Sequence, residues 1–275
     1  MSETAGPVTA DSIALASRGG DAVADSGPLQ SLRVPRPVDR YEFVREQCRG
    51  LRVLDLGAYD ETEVERDQHG TWRWLHAEIA SVASEVLGLD SSPLLADSGG
   101  VDTSVGTRIQ YGSVENIAEV VAEFKPDIVV AGELIEHTPH TIGWLSEIGR
   151  VAPGTRLIAT TPNTTSVINM ALALLTRENA HPDHIQVYSF RTLATLAGRV
   201  PMSDVSIRPY YYDPHLFVGK VPGVLGPVIG GVNRVLRLIQ WLFPLTAFGL
   251  ILEGTVEAPT DAAAEARRTR RTTAG

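Results

Sequence analysis

The sequence has almost no cysteine and no excess of positive charge. Cys48 is the single cysteine among 275 residues, so neither an internal disulfide nor a cysteine-rich zinc site can form. This composition suits a reducing compartment, and we expect a cytoplasmic protein. The chain has 24 Lys and Arg residues against 33 Asp and Glu residues, a formal net charge of −9. Because such a charge repels a phosphate backbone, nonspecific nucleic-acid binding is not expected.

A leader signal and a long unbroken apolar run are also lacking. The N-terminus has no basic region followed by an apolar core, so no secretory signal is predicted. The most apolar stretch, 221–252, is interrupted by Pro244, and its unbroken part is shorter than the roughly 20 residues that a bilayer requires. Arg234, Arg237 and Gln240 are spaced to share one side of its helix. The stretch fits a cover packed on its own domain, with peripheral membrane contact or a homo-oligomer contact as the alternatives.

Both ends of the chain are poor in large apolar side chains. Residues 1–30 are rich in Ala, Ser, Gly and Asp, and residues 258–275 carry four arginines within 267–271. Both ends are predicted to be disordered tails, because they offer too little apolar surface to offset the entropy of ordering. The intervening residues 31–257 are predicted to form one large domain with an apolar cover at 215–247.

Within that domain, short β-rich apolar runs alternate with longer helical stretches. Such alternation is typical of a parallel sheet covered by helices. The first five runs are nearly continuous in apolar residues, as expected for strands buried on both faces. The predicted strands are 52–56, 86–90, 108–111, 127–131, 156–160, 205–212 and 248–256, and the predicted helices include 72–84 and 190–197.

The ends of four predicted strands carry residues suited to ligand binding. Gly57 follows the first strand, and a glycine turn there lets backbone N–H groups approach a ligand. Asp90 ends the second strand, where a carboxylate can accept hydrogen bonds from both hydroxyls of a ribose. Ser113 follows the third strand, and the fourth ends in GELIEH, residues 132–137.

In this order, the strand ends resemble those of class I S-adenosylmethionine-dependent methyltransferases over about residues 40–257. The resemblance implies a Rossmann-like doubly wound α/β fold of seven mostly parallel strands, with an antiparallel last strand and helices on both faces. It also implies S-adenosyl-L-methionine as cofactor, with Asp90 at the ribose and Ser113 near the adenine. The implied cofactor-binding residues are Asp55, Gly57, Asp90, Ser91, Ser113, Val114 and Glu133.

The loop after the first strand departs from the family pattern. Tyr59 and Glu61 stand where D-x-G-x-G-x-G has its second and third glycines, and 61–70 looks like an acidic insertion. The loop must therefore follow a different path. The same departure disfavours a nicotinamide dinucleotide, whose pyrophosphate needs close backbone approach. A cofactor-binding homologue without turnover is an alternative to an enzyme.

Glu133, Glu136 and His137 form the pattern E-x-x-E-H after the fourth strand. If the segment opens a helix, the three side chains share one face and suit a hard or borderline divalent ion. The pattern resembles the metal-dependent ubiquinone-pathway O-methyltransferases and small-RNA 2′-O-methyltransferases. In the latter, a further histidine lies in a segment similar to 181–188, which implies His184 as a fourth ligand, with Mg²⁺ as the ion. The alternatives are His137 as a metal-free general base and a structural role.

These features predict an O-methyltransferase acting on a hydroxyl of a small molecule: a sugar, polyol or phenolic unit, free or lipid-linked. An ion that chelates the substrate favours a vicinal diol or a catechol. The predicted acceptor wall is 221–252 with Tyr210, Tyr211, Tyr212 and Phe217. RNA 2′-O-methylation is a weaker alternative, because no basic groove is evident. The other loop histidines are predicted to be solvated: His140, His181 and His215.

Overall fold

The computed structural model describes residues 32–59, 73–211 and 226–259, with side chains from residue 230 onward in the last range. One sheet contains all the strands within these ranges. The strands are β1 Arg52–Leu56, β2 Glu85–Asp90, β3 Gly100–Asp102, β4 Arg108–Tyr111, β5 Ile128–Gly132, β6 Arg156–Pro162, β7 Met202–Tyr210 and β8 Gly249–Val256. The α-helices are α1 Arg40–Gln47, α2 Leu75–Ala80, α3 Ile117–Phe124, α4 Thr141–Val151, α5 Val167–Leu174, α6 Phe190–Ala197 and α7 Gly226–Leu242.

The strand order in the sheet is β3-β4-β2-β1-β5-β6-β8-β7. Strand β1 pairs in parallel with β2 and β5, while the last strand, β8, runs antiparallel between β6 and β7. The doubly wound Rossmann-like sheet and its antiparallel last strand are thus confirmed. The structure adds an eighth strand, the three-residue β3, which pairs antiparallel with β4 at the sheet edge. Three residues are too few for an alternating pattern to predict.

Helices cover both faces of the sheet because the strand side chains alternate between them. Leu54 and Leu56 of β1 face the cluster formed with α3, α4 and α6, whereas Val53 faces the cluster formed with α1 and α2. Predicted helix 190–197 corresponds to α6, which begins at a capping box between Ser189 and Thr192. Predicted helix 72–84 is observed only as the shorter α2.

Several predictions lie outside the described residues. They concern the N-terminal tail, the acidic insertion, nearly all of the C-terminal tail, and the residues Glu61, Tyr212, His215 and Phe217. Within the described ranges, none of the helices has both the length and the apolar character needed to cross a membrane. The boundaries of a domain at 31–257 and its cover at 215–247 remain predictions.

Two glycines of α4 provide a matched test of packing between this helix and the end of β8. A Cβ at Gly149 would lie 2.3 Å from the carbonyl oxygen of Glu257, a backbone atom that cannot move cheaply. We expect Gly149→Ala to lower the free energy of unfolding by about 1–3 kcal/mol. At Gly143 the added Cβ meets only His140 Cβ at 3.7 Å, so Gly143→Ala should stabilise by about 0.5–1 kcal/mol. Urea unfolding measures the change in the free energy of unfolding for both variants. Equal changes would contradict the close contact between Gly149 and Glu257.

Candidate active site

Gly57 makes the turn that follows β1. Its φ is +72°, in the left-handed region that favours glycine, and its N–H donates to the Leu89 carbonyl at 2.9 Å. A Cβ at this position would contact Leu134 Cδ1 at 3.4 Å. The turn therefore brings the backbone close to the end of β2 and to the segment that follows β5.

Asp90, at the end of β2, anchors the altered loop. Its Oδ2 accepts the Tyr59 N–H at 2.9 Å, and its Oδ1 accepts the Ser92 N–H at 2.8 Å. Tyr59 stands where the family pattern has a glycine, and its backbone amide is held by the Asp90 carboxylate. Ser91 is exposed next to it.

The segment after β4 lies beside the end of β2, because the Gly112 N–H donates to the Asp90 carbonyl at 2.8 Å. The Ser113 hydroxyl accepts the Glu115 N–H at 3.2 Å and caps a short 3-10 helix, Val114–Asn116. Val114 packs partly against the core. The structure therefore brings Gly57, Asp90 and the segment at Ser113 together at one edge of the sheet.

Asp55, which the resemblance implies as a cofactor-binding residue, lies in the interior of the fold, and its role at the cofactor stays a prediction. It is 3% exposed, and its Oδ2 lies 2.8 Å from His76 Nδ1. The other ring nitrogen, His76 Nε2, lies 2.8 Å from the Thr107 hydroxyl. Through His76, the carboxylate links β1 to α2 and to the turn before β4. Sequence reasoning missed His76 because no motif spacing marks it.

Glu133 follows β5 with a φ of +54°, a conformation uncommon outside glycine. Its Oε1 accepts hydrogen bonds from the Tyr210 hydroxyl at 2.7 Å and the Thr160 hydroxyl at 3.0 Å. Arg40 Nη1 lies 3.8 Å from the same oxygen. Burial, and next the Glu133 charge, raise the pKa of Tyr210 well above its ordinary value. Tyr210 is a core residue, and its predicted place in the acceptor wall is wrong.

The segment from Glu133 to His140 consists of turns, and helix α4 begins only at Thr141. The helical face on which the E-x-x-E-H pattern would align three ligands is therefore not formed. Glu133 is directed toward Tyr210 and Thr160, whereas Glu136 and His137 lie further along the turn. The structure separates the two glutamates of the motif into different environments.

Glu136, His137 and His184 form a group that we call the donor cluster. Their ligand atoms all lie within 4.8 Å of one another, and Glu133 is not part of the group. The ring centroids of the two histidines are 4.6 Å apart, with the planes at 82°. Two backbone bonds hold the 181–188 segment in place: the N–H groups of Ile185 and Gln186 donate to the Glu136 carbonyl at 3.0 and 3.1 Å. His184 therefore reaches the site that the resemblance implied.

His181 lies nearer this cluster than the sequence indicated. Its ring centroid is 6.0 Å from that of His137 and 5.8 Å from that of His184. The side chain is largely exposed and its Nδ1 lies 3.6 Å from Asp183 Oδ2. The sequence signal available for it was its position three residues before His184, within the same segment. His140, by contrast, is exposed as predicted.

The electrostatics of the donor cluster favour a bound cation or proton. Glu136 is 1% exposed, and neither of its carboxylate oxygens has a hydrogen-bond partner with acceptable geometry among the described residues. Burial, and next the charge of Glu133, raise the pKa of Glu136 to about 8. Burial and the neighbouring His137 lower the pKa of His184. Because an ionised carboxylate is costly to bury, Glu136 favours a bound proton or a cation, although Thr161 and the charge of Arg40 stabilise the ionised form in part.

A cavity of about 570 Å³ opens beside the donor cluster. Glu136 and His184 contribute to its wall, α5 supplies another side, and the 176–187 segment completes it. Among the described residues, its polar lining includes Thr164, Asn169, Asn179 and Gln186. The predicted acceptor wall at 221–252 does not line this cavity in the part of the chain that the structure describes. The wall is formed instead by α5, whose apolar sequence gave no signal of a pocket.

Sequence comparison assigns the chain to a known family. The profile of the methyltransferase domain family matches residues 33–200, more than half of the chain. The chain belongs to this family and is a methyltransferase. No curated protein matches its sequence significantly.

Solved structures of similar proteins include two S-adenosylmethionine-dependent methyltransferases. The one from Archaeoglobus fulgidus is 14% identical, with 78% of this chain and 94% of that chain covered and a TM-score of 0.44. The one from Mesorhizobium loti is 13% identical, with 78% and 95% covered and a TM-score of 0.42.

The hydrogen bond from Tyr210 to Glu133 can be tested by removing one hydroxyl. Tyr210→Phe takes away the 2.7 Å bond to the partly exposed Glu133 carboxylate, and we expect a loss of about 1.5–3 kcal/mol in the free energy of unfolding. The control is Tyr211→Phe, because the Tyr211 ring stacks under Arg237 and its hydroxyl has no hydrogen-bond partner within the described ranges. That variant should change stability by less than about 0.5 kcal/mol. Equal losses in urea unfolding would contradict this assignment.

Proposed function

We propose that the protein transfers the methyl group of S-adenosylmethionine to a hydroxyl oxygen of a sugar or polyol bound in the cavity. The observation that carries this proposal is the donor cluster at the cavity wall. Its buried Glu136 carboxylate lacks a hydrogen-bond partner among the described residues and lies beside two imidazoles. Such a set is suited to activating a hydroxyl group that enters the cavity.

The cofactor would lie along the edge formed by the ends of β1, β2, β4 and β5. The Asp90 carboxylate would accept hydrogen bonds from the ribose hydroxyls, and Gly57 would allow the backbone to approach. In this proposal Asp55 has a structural role. Its buried carboxylate contacts His76 and so holds α2 against β1. The proposed contacts along this edge are Gly57, Asp90, Ser91, Ser113, Val114 and Glu133.

Methyl transfer from a sulfonium is an in-line displacement. The acceptor oxygen forms a bond to the methyl carbon as the carbon–sulfur bond breaks, and S-adenosylhomocysteine leaves with the electron pair. The hydroxyl proton must pass to a base. His137 is the candidate, because it lies in the turn segment between β5 and α4 and belongs to the donor cluster. The products are a methyl ether and a proton held on the imidazole.

Glu136, His137 and His184 would hold a divalent cation if one binds. A cation at this position supplies positive charge that lowers the pKa of a coordinated hydroxyl. Two nitrogen donors and one oxygen donor suit a borderline ion such as Mn²⁺ or Zn²⁺ better than Mg²⁺, which prefers oxygen ligands. The Mg²⁺ expectation relied on Glu133 as a second carboxylate, and Tyr210 and Thr160 occupy one of its oxygens. His137 cannot be ligand and base at once, so metal dependence decides its role.

The lining of the cavity favours a sugar or polyol over a phenolic acceptor. Amide and hydroxyl groups from Thr164, Asn169, Asn179 and Gln186 can bind several hydroxyl groups of one acceptor. No Phe, Tyr or Trp occurs among the described lining residues, so none of them offers a ring for stacking. A vicinal diol would place two oxygens next to the donor cluster.

Binding of S-adenosylhomocysteine tests the cofactor site. Isothermal titration calorimetry should show binding by the intact protein and a loss of about tenfold or more in Asp90→Asn, because hydrogen bonds to a charged acceptor are lost. The matched control is Asp97→Asn, an exposed carboxylate in the connection between β2 and β3. Its affinity should not change. Absence of binding by the intact protein would refute the proposed reaction and favour a homologue without turnover.

A second experiment tests the donor cluster. After chelation with EDTA, calorimetry with Mn²⁺, Zn²⁺ and Mg²⁺ should show tighter binding of the first two, and Glu136→Gln and His184→Asn should each weaken Mn²⁺ binding at least tenfold. His140→Asn, an exposed histidine in the same turn region, is the control.

Release of S-adenosylhomocysteine from a panel of diols and polyols should then depend on added metal. Turnover that survives rigorous chelation would exclude the metal and assign His137 as a metal-free base.

A further inference from the structure

Helix α7 has its polar and apolar sides reversed relative to an ordinary surface helix. Gln240 is fully buried and the Asn233 Oδ1 atom is buried, so these polar side chains face the protein. Val235, Leu238 and Leu242 point outward and are 57%, 56% and 48% exposed. Their spacing of three and four residues places them on one stripe opposite the buried pair. A helix that faces water normally shows the opposite arrangement.

Helix α5 extends the same surface. It contacts α7, and none of its residues is buried. Leu174 is 87% exposed, and Met170 and Leu175 are also exposed. We call the combined surface the apolar face. Its members are Met170, Leu174, Leu175, Val232, Val235, Leu238, Trp241, Leu242 and Phe243. Large exposed apolar side chains on two helices that contact each other mark a candidate site of interaction.

The charges at this surface are of one sign. Neither helix contains an acidic residue, and their charged side chains are Arg234 and Arg237. The sequence spacing placed Arg234 and Gln240 on one side of the helix, but the structure exposes Arg234 and buries Gln240. Arg36 stacks on Trp241, with its guanidinium 4.2 Å from the ring centroid, and donates to the Trp241 carbonyl. The charged side chains that the two helices and Arg36 contribute here are all positive, in a chain of net charge −9.

We propose that the apolar face docks on the surface of a membrane containing anionic lipids. Apolar side chains edged by arginines match an interface in which acyl chains lie just below negatively charged headgroups. The indole of Trp241 is suited to the same boundary. A second copy of the chain fits less well. A two-fold contact would bring the arginines of both copies together, and neither helix offers a carboxylate to pair with them.

Docking would place the cavity at the lipid surface. Met170 belongs both to the apolar face and to the cavity lining, and Arg177, three residues after α5, lines the cavity as well. An acceptor whose polar head carries a lipid tail could then enter from the membrane. This consequence rests on the proposed function, whereas the docking itself does not.

Vesicle sedimentation with the full chain tests the proposal. The protein should bind vesicles of phosphatidylcholine with phosphatidylglycerol, bind pure phosphatidylcholine more weakly, and lose binding to the anionic vesicles as salt rises. Leu238→Glu should weaken the partition into anionic vesicles by about tenfold or more, and Arg234→Gln by a smaller factor. The control is Leu94→Glu, which alters a leucine that is 65% exposed in the connection between β2 and β3, and it should bind as the intact protein does.

Light scattering after size-exclusion chromatography supplies the opposing outcome. A dimer that Leu238→Glu converts to a monomer, without vesicle binding by the intact protein, would overturn the proposal and assign the face to a second copy. A monomer that binds neither vesicle would overturn it as well. S-adenosylhomocysteine binding by Leu238→Glu should remain unchanged, which shows that the variant is folded. Because cofactor binding is measured separately from vesicle binding, this control also distinguishes failure of docking from failure of the proposed function.

Discussion

Parallel hydrogen bonding of β1 to both β2 and β5 places the carboxyl ends of the three central strands at one edge of the sheet. This arrangement brings Gly57, Asp90 and Glu133 to the same edge of the sheet, although they are far apart in the chain. The Gly57 amide bonds to the Leu89 carbonyl and the Glu133 amide bonds to the Thr160 carbonyl, so each turn is fastened to its neighbouring strand. The pairing of the strands thus determines which side chains can meet a shared ligand.

The two glutamates of one short motif show how strongly surroundings decide chemistry. Glu133 has two hydroxyl donors and a nearby arginine, and these satisfy a negative charge. Glu136, three residues later, is buried without a hydrogen-bond partner among the described residues, and its pKa rises to about 8. The first glutamate is held in a fixed position, and the second is left in need of a proton or a cation. Two identical side chains in one turn segment therefore have different electrostatic environments.

The sequence allowed the sheet and the acid at the end of β2 to be predicted, because both depend on local patterns of apolar and polar residues. It also indicated His184, through a second segment in the expected order. The position of Glu133 could not be predicted in this way. It depends on a hydrogen bond from Tyr210, 77 residues away. It also depends on a left-handed backbone conformation at Glu133, where the spacing argument assumed a right-handed helix. The Asp55–His76 pair and the cavity wall at α5 likewise depend on packing between distant segments, which leaves no periodic signal.

The 181–188 segment is fastened near the donor cluster by backbone groups, since two successive N–H groups share the Glu136 carbonyl. The side chains of Ile185 and Val187 contribute nothing to those two bonds, and both are exposed. Val187 nevertheless lines the cavity. A substitution at Val187 would therefore change the shape of the cavity wall, whereas the backbone bonds that position His184 would remain.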